Sequence, residues 1–478
     1  MYIKYKLNII TLIISSIHFL SFPISEVSDS GKLYPTNVNI VTYPTTNEEL
    51  QQIVKIAHEK SKKISIAGAR YSQGGQSNAT DSINIDLTHF NKLIKVDFVN
   101  KTATVQSGMT WKQLQEILHP LNLSIKVMQS SNVFSIGGSI SANVHGRDLH
   151  YGPIIETINS CKIINSIGEI QSINRQDNFE LFSLVVGGYG LFGIITEIEL
   201  SLTDNPLCFK KQETIAYEKY IDHFKNNILP NHNINLYYGR FVMIPGKDFL
   251  KKIISVSHIV ESDIHHKAKT KPLKNEKSII SNQWFFNQYR KNPNIINSWL
   301  RYIIETRFQA PWETGNITCR NQLMRPYIHS LENKSKKSTD LLQEYFIPLS
   351  DFTRFTNDLR QFSSLHKINL LNVTLRFVPK NTESFLSYTK SDMISFVLYF
   401  TTNIDTESLK TVKVYTTELT NACLRCDGTF YLPYQQFASS EEMHTSYPMM
   451  KDFIQKKKLY DPKEIFVNNW YNNYLITL

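Results

Sequence analysis

The sequence predicts a globular protein of mixed helices and strands, and three observations support this. A length of 478 residues is enough for two or three domains with full hydrophobic cores. Apolar residues make up 41% of the chain and aromatic residues 12%, a composition typical of a folded rather than a disordered protein. Amphipathic helical patterns alternate with short β-branched runs in the first part of the chain, and longer alternating runs follow in the second part.

Two helices are predicted from their N-terminal caps and their apolar spacing. Thr46 with Glu49, and Thr110 with Gln113, have the spacing of a capping box. Each pair precedes a run with apolar residues on one helical face. The apolar positions are Leu50, Ile53, Val54 and Ala57 in the first run, and Trp111, Leu114, Ile117, Leu118 and Leu121 in the second.

A glycine loop follows the first predicted strand, Ile64–Ala67. The strand runs directly into Gly-Ala-Arg-Tyr-Ser-Gln-Gly-Gly at Gly68–Gly75. A loop of this kind at the end of a strand offers uncovered backbone amides that can hold a phosphate. Strands are also expected at Ser82–Leu87 and Thr102–Gly108.

A second glycine segment, SIGGSISANVHGRDLHY, spans Ser135–Tyr151. Gly137 and Gly138 are unfavourable inside a helix or a strand, so the segment predicts a turn with positive φ or close backbone approach. Its small residues leave amides uncovered for a flat or anionic ligand. The alternative is an ordinary tight turn at the surface.

A third segment contains a formal GxGxxG at Gly188, Gly190 and Gly193. A Rossmann dinucleotide site needs a helix directly after such glycines. The residues that follow, IITEIELSL, alternate with period two and predict a strand instead. The Rossmann interpretation is therefore excluded. Strands are predicted before it at 154–164 and 170–173, with a helical segment at 177–184.

The second part of the chain predicts a sheet and a late helix. Strands are expected at Leu342–Pro348, Leu370–Pro379 and Met393–Phe400, and a helix around Ser440–Lys458. An aromatic and basic segment, Asn282–Arg307, is interpreted as an amphipathic helix pair. Core packing or contact with a membrane surface would explain it.

Charge and cysteine content narrow the class of protein. The formal net charge is +10, but the basic residues are dispersed and form no aromatic-basic stripe, so no nucleic-acid partner is expected. The five cysteines are too scattered for a disulfide scaffold. Cys423 and Cys426 have CxxC spacing without a second pair, which indicates a local disulfide or two packed thiols rather than a metal site.

The N-terminus resembles an export segment. Lys4 and Lys6 precede a largely apolar run at Leu7–Phe22, and no charge follows until Glu26. We therefore expect residues 1–25 to be a signal peptide or a membrane anchor. The protein would be exported, either periplasmic or otherwise extracytoplasmic, or held at a membrane by this segment.

The three glycine segments, in this order, resemble the FAD-binding superfamily of vanillyl-alcohol oxidase and p-cresol methylhydroxylase (PCMH). The GG…HG block is similar to aldonolactone oxidases, alditol oxidases and the decaprenylphosphoryl-ribose oxidase group. The resemblance implies an α+β fold, with a PCMH-type FAD-binding domain of two subdomains and a cap (substrate) domain built on an antiparallel sheet with flanking helices. The implied boundaries are 34–205 for the FAD-binding domain, 206–430 for the cap, and 431–478 for a segment that returns to the FAD-binding domain.

The resemblance also implies which residues hold FAD. The first loop would wrap the pyrophosphate, the second segment would add amides and line the flavin, and the third would hold the adenine-ribose end. The implied cofactor-binding residues are Ala67, Gly68, Ala69, Arg70, Tyr71, Ser72, Gln73, Gly74, Gly137, Gly138, Ser139, Asn143, His145, Gly146, Gly190, Gly193 and Ile195. Many relatives carry a histidine that bonds covalently to the flavin where this chain has Tyr71, so FAD is expected to be bound non-covalently.

The catalytic residues are implied by the same resemblance. Removal of hydride from a carbinol carbon needs a group that accepts the hydroxyl proton and donors that fix the substrate. Glu344, Arg376 and Tyr434 fall on cap strands that face the flavin in relatives. Members of the ribose-oxidase group often carry a lysine near Tyr434, and this chain lacks it. The alternative is that these residues are structural, since a buried Glu–Arg pair also serves packing.

The implied function is FAD-dependent oxidation of a CH–OH group of a sugar, polyol, lactone or related alcohol. O2 or another acceptor would reoxidise the flavin, and no metal is expected. Two alternatives stay open. One is a non-catalytic flavin- or carbohydrate-binding protein, and the other is a membrane-associated subunit that passes electrons from lipid-linked sugars to a partner.

Overall fold

The computed structural model describes residues 25–244, 246–261, 272–274, 290, 317–325, 333, 335–435 and 437–476. The apolar run at Leu7–Phe22 and, apart from Arg290, the segment Asn282–Arg307 lie outside these residues. Predictions for an export segment and for a membrane contact therefore stay predictions. Within the described ranges, no helix combines the length and the apolar composition needed to cross a bilayer.

A parallel sheet and a first helix form around the first loop. The elements are β1 (Ser25–Val27), β2 (Thr36–Val38), β3 (Ile40–Thr42), α1 (Asn47–Glu59), β4 (Ile64–Ala67) and β5 (Ile83–Asp86). Strand β5 lies between β3 and β4 and is parallel to both. Helix α1 covers the sheet with its buried apolar face, which is the face that the sequence predicts. Its cap differs in detail, because Glu49 accepts a bond from the amide of Thr45 and not from that of Thr46.

An antiparallel sheet of six strands follows. Its strands and the associated helices are β6 (Leu93–Asp97), β7 (Thr102–Gln106), α2 (Trp111–Leu118), β8 (Leu123–Ile125), α3 (Ile136–Ser141), β9 (Ile158–Ile164), β10 (Ile170–Asn174), α4 (Phe179–Val185) and β11 (Ile194–Asp204). The strand order is β10-β9-β11-β7-β6, and β8 pairs with β11. Strand β11 directly follows the third glycine segment, as predicted. The capping box of Thr110 and Gln113 is present at the start of α2.

A larger antiparallel sheet is built from the second part of the chain. Its strands are β12 (Leu207–Ala216), β13 (Ile234–Phe241), β14 (Lys252–Val260), β15 (Ile317–Cys319), β16 (Ser338–Pro348), β17 (Asn369–Val378), β18 (Met393–Asn403) and β19 (Thr429–Phe430). They lie in the order β15-β12-β14-β13-β17-β18-β16-β19. The associated helices are α5 (Tyr220–His223), α6 (Arg320–Leu323), α7 (Phe352–Leu365) and α8 (Thr406–Arg425).

The two faces of this sheet differ in character. On β17, Val373 and Leu375 are buried, whereas Thr374 and Arg376 are half-buried. The buried face packs on α7 and α8, as in the edge contact of Phe355 with Phe396, whose ring centroids are 4.9 Å apart. The other face carries Arg376, with Ser395 opposite it on β18 and Glu344 on β16.

The last described residues pack against the first sheet. They contain α9 (Ser440–Ser446) and α10 (Met450–Tyr460), so the helix predicted around 440–458 is two helices separated by Tyr447, Pro448 and Met449. Proline cannot supply an amide to a continuous helix. Beyond α10, Phe466 forms a parallel bridge with Ile64 of β4, and Val467 donates its amide to the carbonyl of Ile64.

The second glycine segment forms a helix and not the predicted turn, although the predicted close approach is present at Gly137. Gly137 and Gly138 lie inside α3 and not in a turn. Ile136 and Ile140 on one side of this helix are fully buried. Close packing also excludes a side chain at Gly137, since its Cβ would lie 2.6 Å from the Cβ of Ser107. Tertiary packing thus outweighs the low helix propensity of glycine.

Candidate functional site

The first loop leaves β4 and packs directly against the start of α3. A Cβ on Gly68 would lie 2.1 Å from the hydroxyl oxygen of Ser135, so any other residue there would displace the Ser135 side chain. The amide of Ala69 donates to the same hydroxyl at 3.3 Å. Ser135 therefore joins the first two glycine segments that the sequence analysis groups into one ligand site.

The side chain of Arg70 turns away from the loop and into the parallel sheet. Its guanidinium donates to Asn78 and Asn84 and pairs with Asp86 at 3.2 Å. Arg70 itself adopts a left-handed backbone conformation, with a φ of 56°. Its guanidinium is thus bound within the protein and helps to fix the shape of the loop, and a cofactor contact by Arg70 stays a prediction for its backbone.

Several amides predicted to be uncovered are bound within the protein. Gln73 donates its amide to the carbonyl of Pro433 at 3.0 Å, and Gly74 donates to the side chain of Gln76 at 3.0 Å. Gly137 donates to the carbonyl of Ser107, and Ser139 donates to that of Ser135. These four amides are used within the fold, so a pyrophosphate contact by these residues would have to come from other atoms and stays a prediction.

Ser72 in the first loop and Gly138 in α3 offer further contacts to a ligand. The buried hydroxyl of Ser72 has no hydrogen-bond partner among the described residues. Tyr71 is half-buried and packs edge-on against Phe134, with ring centroids 4.8 Å apart. Gly138 is exposed, and a Cβ there would meet only the Ser135 hydroxyl, at 2.9 Å. Ala67, by contrast, is buried as the last residue of β4.

Of the remaining cofactor candidates, some are used in packing or hydrogen bonds within the protein and others are partly accessible. Asn143 uses its side chain to accept the amide of Ile155, and Gly146 packs against the carbonyl of Met128. Gly193 closely approaches the carbonyl of Ile164, and Ile195 is buried on β11, so both have structural reasons to be there. Gly190 is half-buried, with a φ of 75°, and faces Ile66 of β4.

Glu344 and His145 form a buried pair between the second glycine segment and β16. The Nε2 atom of His145 lies 2.6 Å from Oε1 of Glu344, and both side chains are almost fully buried. Ser395 on β18 also donates to Oε1 of Glu344. Tyr434 hydrogen-bonds to the same carboxylate. The structure therefore brings together two of the three predicted catalytic residues and one predicted flavin-lining residue.

Arg376, the third predicted catalytic residue, lies near this carboxylate on β17. Its Nη2 atom donates to the hydroxyl of Ser130 at 2.7 Å. Its buried Nε atom has no hydrogen-bond partner among the described residues. Burial opposes ionisation of Glu344, but His145, Arg376 and the Ser395 hydroxyl together lower its pKa. The Glu344 side chain is therefore a carboxylate at neutral pH.

Aromatic rings enclose the pair. Phe346, Tyr388 and Tyr431 surround His145 with ring centroids 5.4 to 6.1 Å away. The Tyr388 hydroxyl donates to the carbonyl of Asn143 at 2.6 Å, and the Tyr431 hydroxyl donates to that of Ala142 at 2.8 Å. These tyrosines fix the segment that carries His145 against the large sheet.

Sequence reasoning missed Ser395, Tyr388 and Ser130. Ser395 lies in a run predicted as a strand, but only the register, in which it pairs with Arg376, shows that it faces the site. Alternation along one strand does not reveal its neighbours across the sheet. Tyr388 and Ser130 lie in irregular segments that carry no local signal.

The two cysteines of the CxxC sequence stand apart from this site. Cys423 and Cys426 are buried free thiols at the end of α8. Burial raises the pKa of both, that of Cys426 to about 11. Of the two alternatives left by the sequence, the structure has packed thiols.

The residues present fit a long nucleotide that ends in a flat ring system. The open face of Gly138 and the left-handed Gly190 admit close approach, and the unpartnered Ser72 hydroxyl suits a phosphate oxygen. Comparison with protein families agrees, because residues 38–174 match the family described as FAD binding domain. The chain thus carries an FAD-binding domain, and the resemblance to the vanillyl-alcohol oxidase and PCMH superfamily is confirmed.

Individual relatives are similar over different shares of the chain. The decaprenylphosphoryl-β-D-ribose oxidase of Mycolicibacterium smegmatis is 21% identical over 92% of this chain and 95% of its own length. The mitochondrial L-galactono-1,4-lactone dehydrogenase of Brassica oleracea is 26% identical over 43% of this chain. The D-arabinono-1,4-lactone oxidase of Candida albicans is 27% identical over 41% of it. The matches to these last two span only 33% and 37% of the relatives' own lengths.

Proposed function

We propose that this protein is an FAD-dependent oxidoreductase that oxidises a CH–OH group of a sugar, polyol, lactone or related alcohol. The observation that carries the proposal is the buried pair of His145 and Glu344, with Arg376 and Tyr434 beside it. His145 belongs to the FAD-binding domain, and Glu344 belongs to the large sheet. The pair therefore stands where the two parts of the chain meet.

His145 is suited to accept the proton of a substrate hydroxyl. Because the Glu344 carboxylate accepts a hydrogen bond from Nε2, that nitrogen carries the ring proton in the neutral imidazole. The Nδ1 atom then holds a lone pair, and it has no hydrogen-bond partner among the described residues. A histidine oriented by a buried carboxylate is a recurrent form of general base. FAD, when bound, supplies the hydride acceptor.

Arg376 and Tyr434 are suited to position the substrate. The free Nε–H of Arg376 is a charged donor for a substrate oxygen. Burial, together with the nearby Glu344 charge, raises the pKa of Tyr434 well above its usual value. Tyr434 therefore stays a neutral phenol, which donates a hydrogen bond to the Glu344 carboxylate and leaves its oxygen to accept a hydrogen bond from the substrate.

The two-subdomain form of the FAD-binding domain and its boundaries are part of this proposal. The parallel sheet and the six-stranded sheet both form from strands before residue 205, as a domain at 34–205 requires. All strands of the eight-stranded sheet lie between 207 and 430, as a cap at 206–430 requires. The bridge of Phe466 to Ile64 supports a segment at 431–478 that returns to the first domain.

The substrate is proposed as a class. The lactone oxidase and dehydrogenase relatives are named for sugar lactones, and the relative that matches most of the chain is named for a lipid-linked ribose. We also propose export, on the basic residues and apolar run that precede residue 25. Association with a membrane surface is compatible with a lipid-linked substrate and with export. Vesicle binding by the full-length protein would test it.

Anaerobic reduction of the purified yellow protein tests the function. Sugars, polyols and sugar lactones are added one at a time, and the flavin absorbance is followed. Bleaching by a member of this panel is the expected result. A protein that binds FAD but is bleached by none of these alcohols would instead be the non-catalytic binding protein.

A further inference from the structure

Four buried glutamines tie the first loop to the strand that carries Glu344. They are Gln73, Gln76, Gln343 and Gln435, and we call them the glutamine network. Gln73 and Gln76 lie in and just after the first loop, Gln343 precedes Glu344 on β16, and Gln435 follows Tyr434. A buried primary amide is costly unless both its donor and its acceptor form hydrogen bonds. The glutamine network is therefore expected to hold together the segments that it joins.

The side chain of Gln73 completes the edge of β16. The amide of Leu342 donates to Oε1 of Gln73 at 2.8 Å, and Nε2 of Gln73 donates to the carbonyl of Asp340 at 3.2 Å. Further along the strand, the carbonyl of Glu344 accepts the amide of Tyr431 at 2.9 Å. The Gln73 amide thus binds one donor and one acceptor of β16, as a neighbouring strand would.

The backbone of Gln73 is bound on its other side to the segment that carries Tyr434. Its amide donates to the carbonyl of Pro433 at 3.0 Å, and its carbonyl accepts a bond from the side chain of Gln435. The two bound segments are also joined to each other, because Gln343 donates to the carbonyl of Gln435 at 2.8 Å. Gln73 is therefore bonded both to the strand that carries Glu344 and to the segment that carries Tyr434.

Gln76 strengthens the same connection. Its Oε1 accepts the amide of Gly74 at 3.0 Å, and its Nε2 donates to the carbonyl of Leu432 at 2.8 Å. The loop, β16 and the segment from Leu432 to Gln435 are thus held by side-chain amides at several points. A displacement of the loop would be transmitted to Glu344 and Tyr434.

We propose that Gln73 is a positioning residue, which sets the place of Glu344 and Tyr434 according to the conformation of the FAD-binding loop. The proposal rests on the proposed function, since it assigns FAD to that loop and chemistry to Glu344. At neutral pH an amide side chain presents both the acceptor for Leu342 and the donor for Asp340, whereas a carboxylate presents only acceptors. Gln73 acts through other residues and needs no contact with the substrate.

The variant Gln73→Glu tests this with a pH profile. A glutamic acid has the same shape, and its protonated form still donates to the carbonyl of Asp340, whereas the carboxylate cannot. Burial raises the pKa of such a group. The rate of flavin reduction, relative to wild type, is expected to be near normal at about pH 6 and to fall roughly tenfold or more by about pH 8.5, because small misplacements of reacting groups are costly.

Gln115→Glu is the matched control. Gln115 is a fully buried glutamine outside the network, and it donates to the carbonyl of Asn321. Its variant should keep the wild-type pH profile of flavin reduction. A profile of Gln73→Glu that follows wild type as closely as the control does would overturn the proposal.

Hydrogen exchange supplies a readout that does not depend on turnover. Protein stripped of FAD and then resaturated should show slower exchange in the first loop and also at β16, around Leu342 and Glu344. In Gln73→Ala, FAD should still protect the loop but should protect β16 much less. Equal protection of β16 in the variant and in wild type would refute the coupling. If instead no alcohol reduces wild-type protein, the proposed function fails, and the exchange result still reports on the coupling.

Discussion

The Nε2 atom of His145 lies 2.6 Å from Oε1 of Glu344, although 199 positions separate the two residues in the chain. One comes from the segment after α3 and the other from the middle of β16. In the proposed mechanism the carboxylate holds the proton on Nε2, and Nδ1 of the histidine is the proposed base.

The substitution Glu344→Gln should slow flavin reduction about 100-fold or more, because a neutral amide no longer supports the imidazolium that forms during proton transfer. The FAD content should stay the same, since Glu344 is bonded to His145, Ser395 and Tyr434 and lies on the large sheet. Stopped-flow absorbance under anaerobic conditions measures the rate.

A control for this substitution is Glu383→Gln. Like Glu344, Glu383 is a carboxylate with a basic partner, Arg175, but it is only partly buried and lies outside the site. Its variant should reduce at the wild-type rate. If Glu344→Gln also reduced at the wild-type rate, Glu344 would be a packing residue.

Local features of the site could be predicted from sequence, because their signals lie within a few residues of each other. The strand at Ile64–Ala67 has the predicted bounds, and β11 follows Gly193 as predicted. The glycines at 68 and 190 are in places where close approach or a positive φ needs them. Each of these depends on backbone sterics that one short segment specifies.

Features that depend on packing between distant segments could not be predicted. Gly137 and Gly138 lie in a helix because Ile136 and Ile140 are buried and Ser107 lies close to the backbone. The contacts of the Arg70 side chain with Asn84 and Asp86 on β5 likewise join the loop to a strand that local sequence does not place beside it. The alignment of Ser395 with Arg376 follows from strand register, which no single strand encodes.

The substitution Gly138→Ala should lower the affinity for FAD about tenfold or more while leaving the protein folded, since overpacking a close contact costs about 1–3 kcal/mol. Alanine is favoured over glycine in a helix, and its Cβ would meet only the movable hydroxyl of Ser135. Fluorescence titration of stripped protein with FAD gives the affinity, and thermal unfolding gives the stability.

The neighbouring variant Gly137→Ala makes a matched contrast. Its Cβ would lie 2.6 Å from the Cβ of Ser107 and 3.0 Å from the Ser107 carbonyl oxygen, so it should lower the free energy of unfolding. Unchanged FAD affinity in a well-folded Gly138→Ala protein would show that this open face does not contact the cofactor.

FAD should be released when the protein is precipitated with acid, because Tyr71 stands where many relatives attach the flavin through histidine. Tyr71 also packs against Phe134 and is part of a well-formed loop. The flavin absorbance of the supernatant and of the washed pellet is the measurement. A pellet that stays yellow would mean a covalent link at another residue.

Stability should depend on pH through Asp29, a buried carboxyl next to the first loop. Burial raises its pKa to about 6 from a usual value of 3.8, although the amides of Gly31 and Gly75 donate to it. The folded protein therefore binds this proton more tightly than the unfolded chain does. The free energy of unfolding therefore falls as pH rises from about 4 through about 6, and this group contributes about 2–3 kcal/mol of the decrease.

Asp29→Asn should remove that dependence, since an amide does not ionise in this range. Urea unfolding of wild type and variant at about pH 4 and about pH 7 gives the difference in stability, which should favour the variant more at the higher pH. Asp97→Asn should change the pH dependence of stability in the opposite direction. Hydrogen bonds from Asn100 lower the pKa of the exposed Asp97, so its charge stabilises the fold above that pKa. If the difference in free energy of unfolding between wild type and Asp29→Asn instead stayed the same at both pH values, Asp29 would ionise as readily in the folded protein as in the unfolded chain.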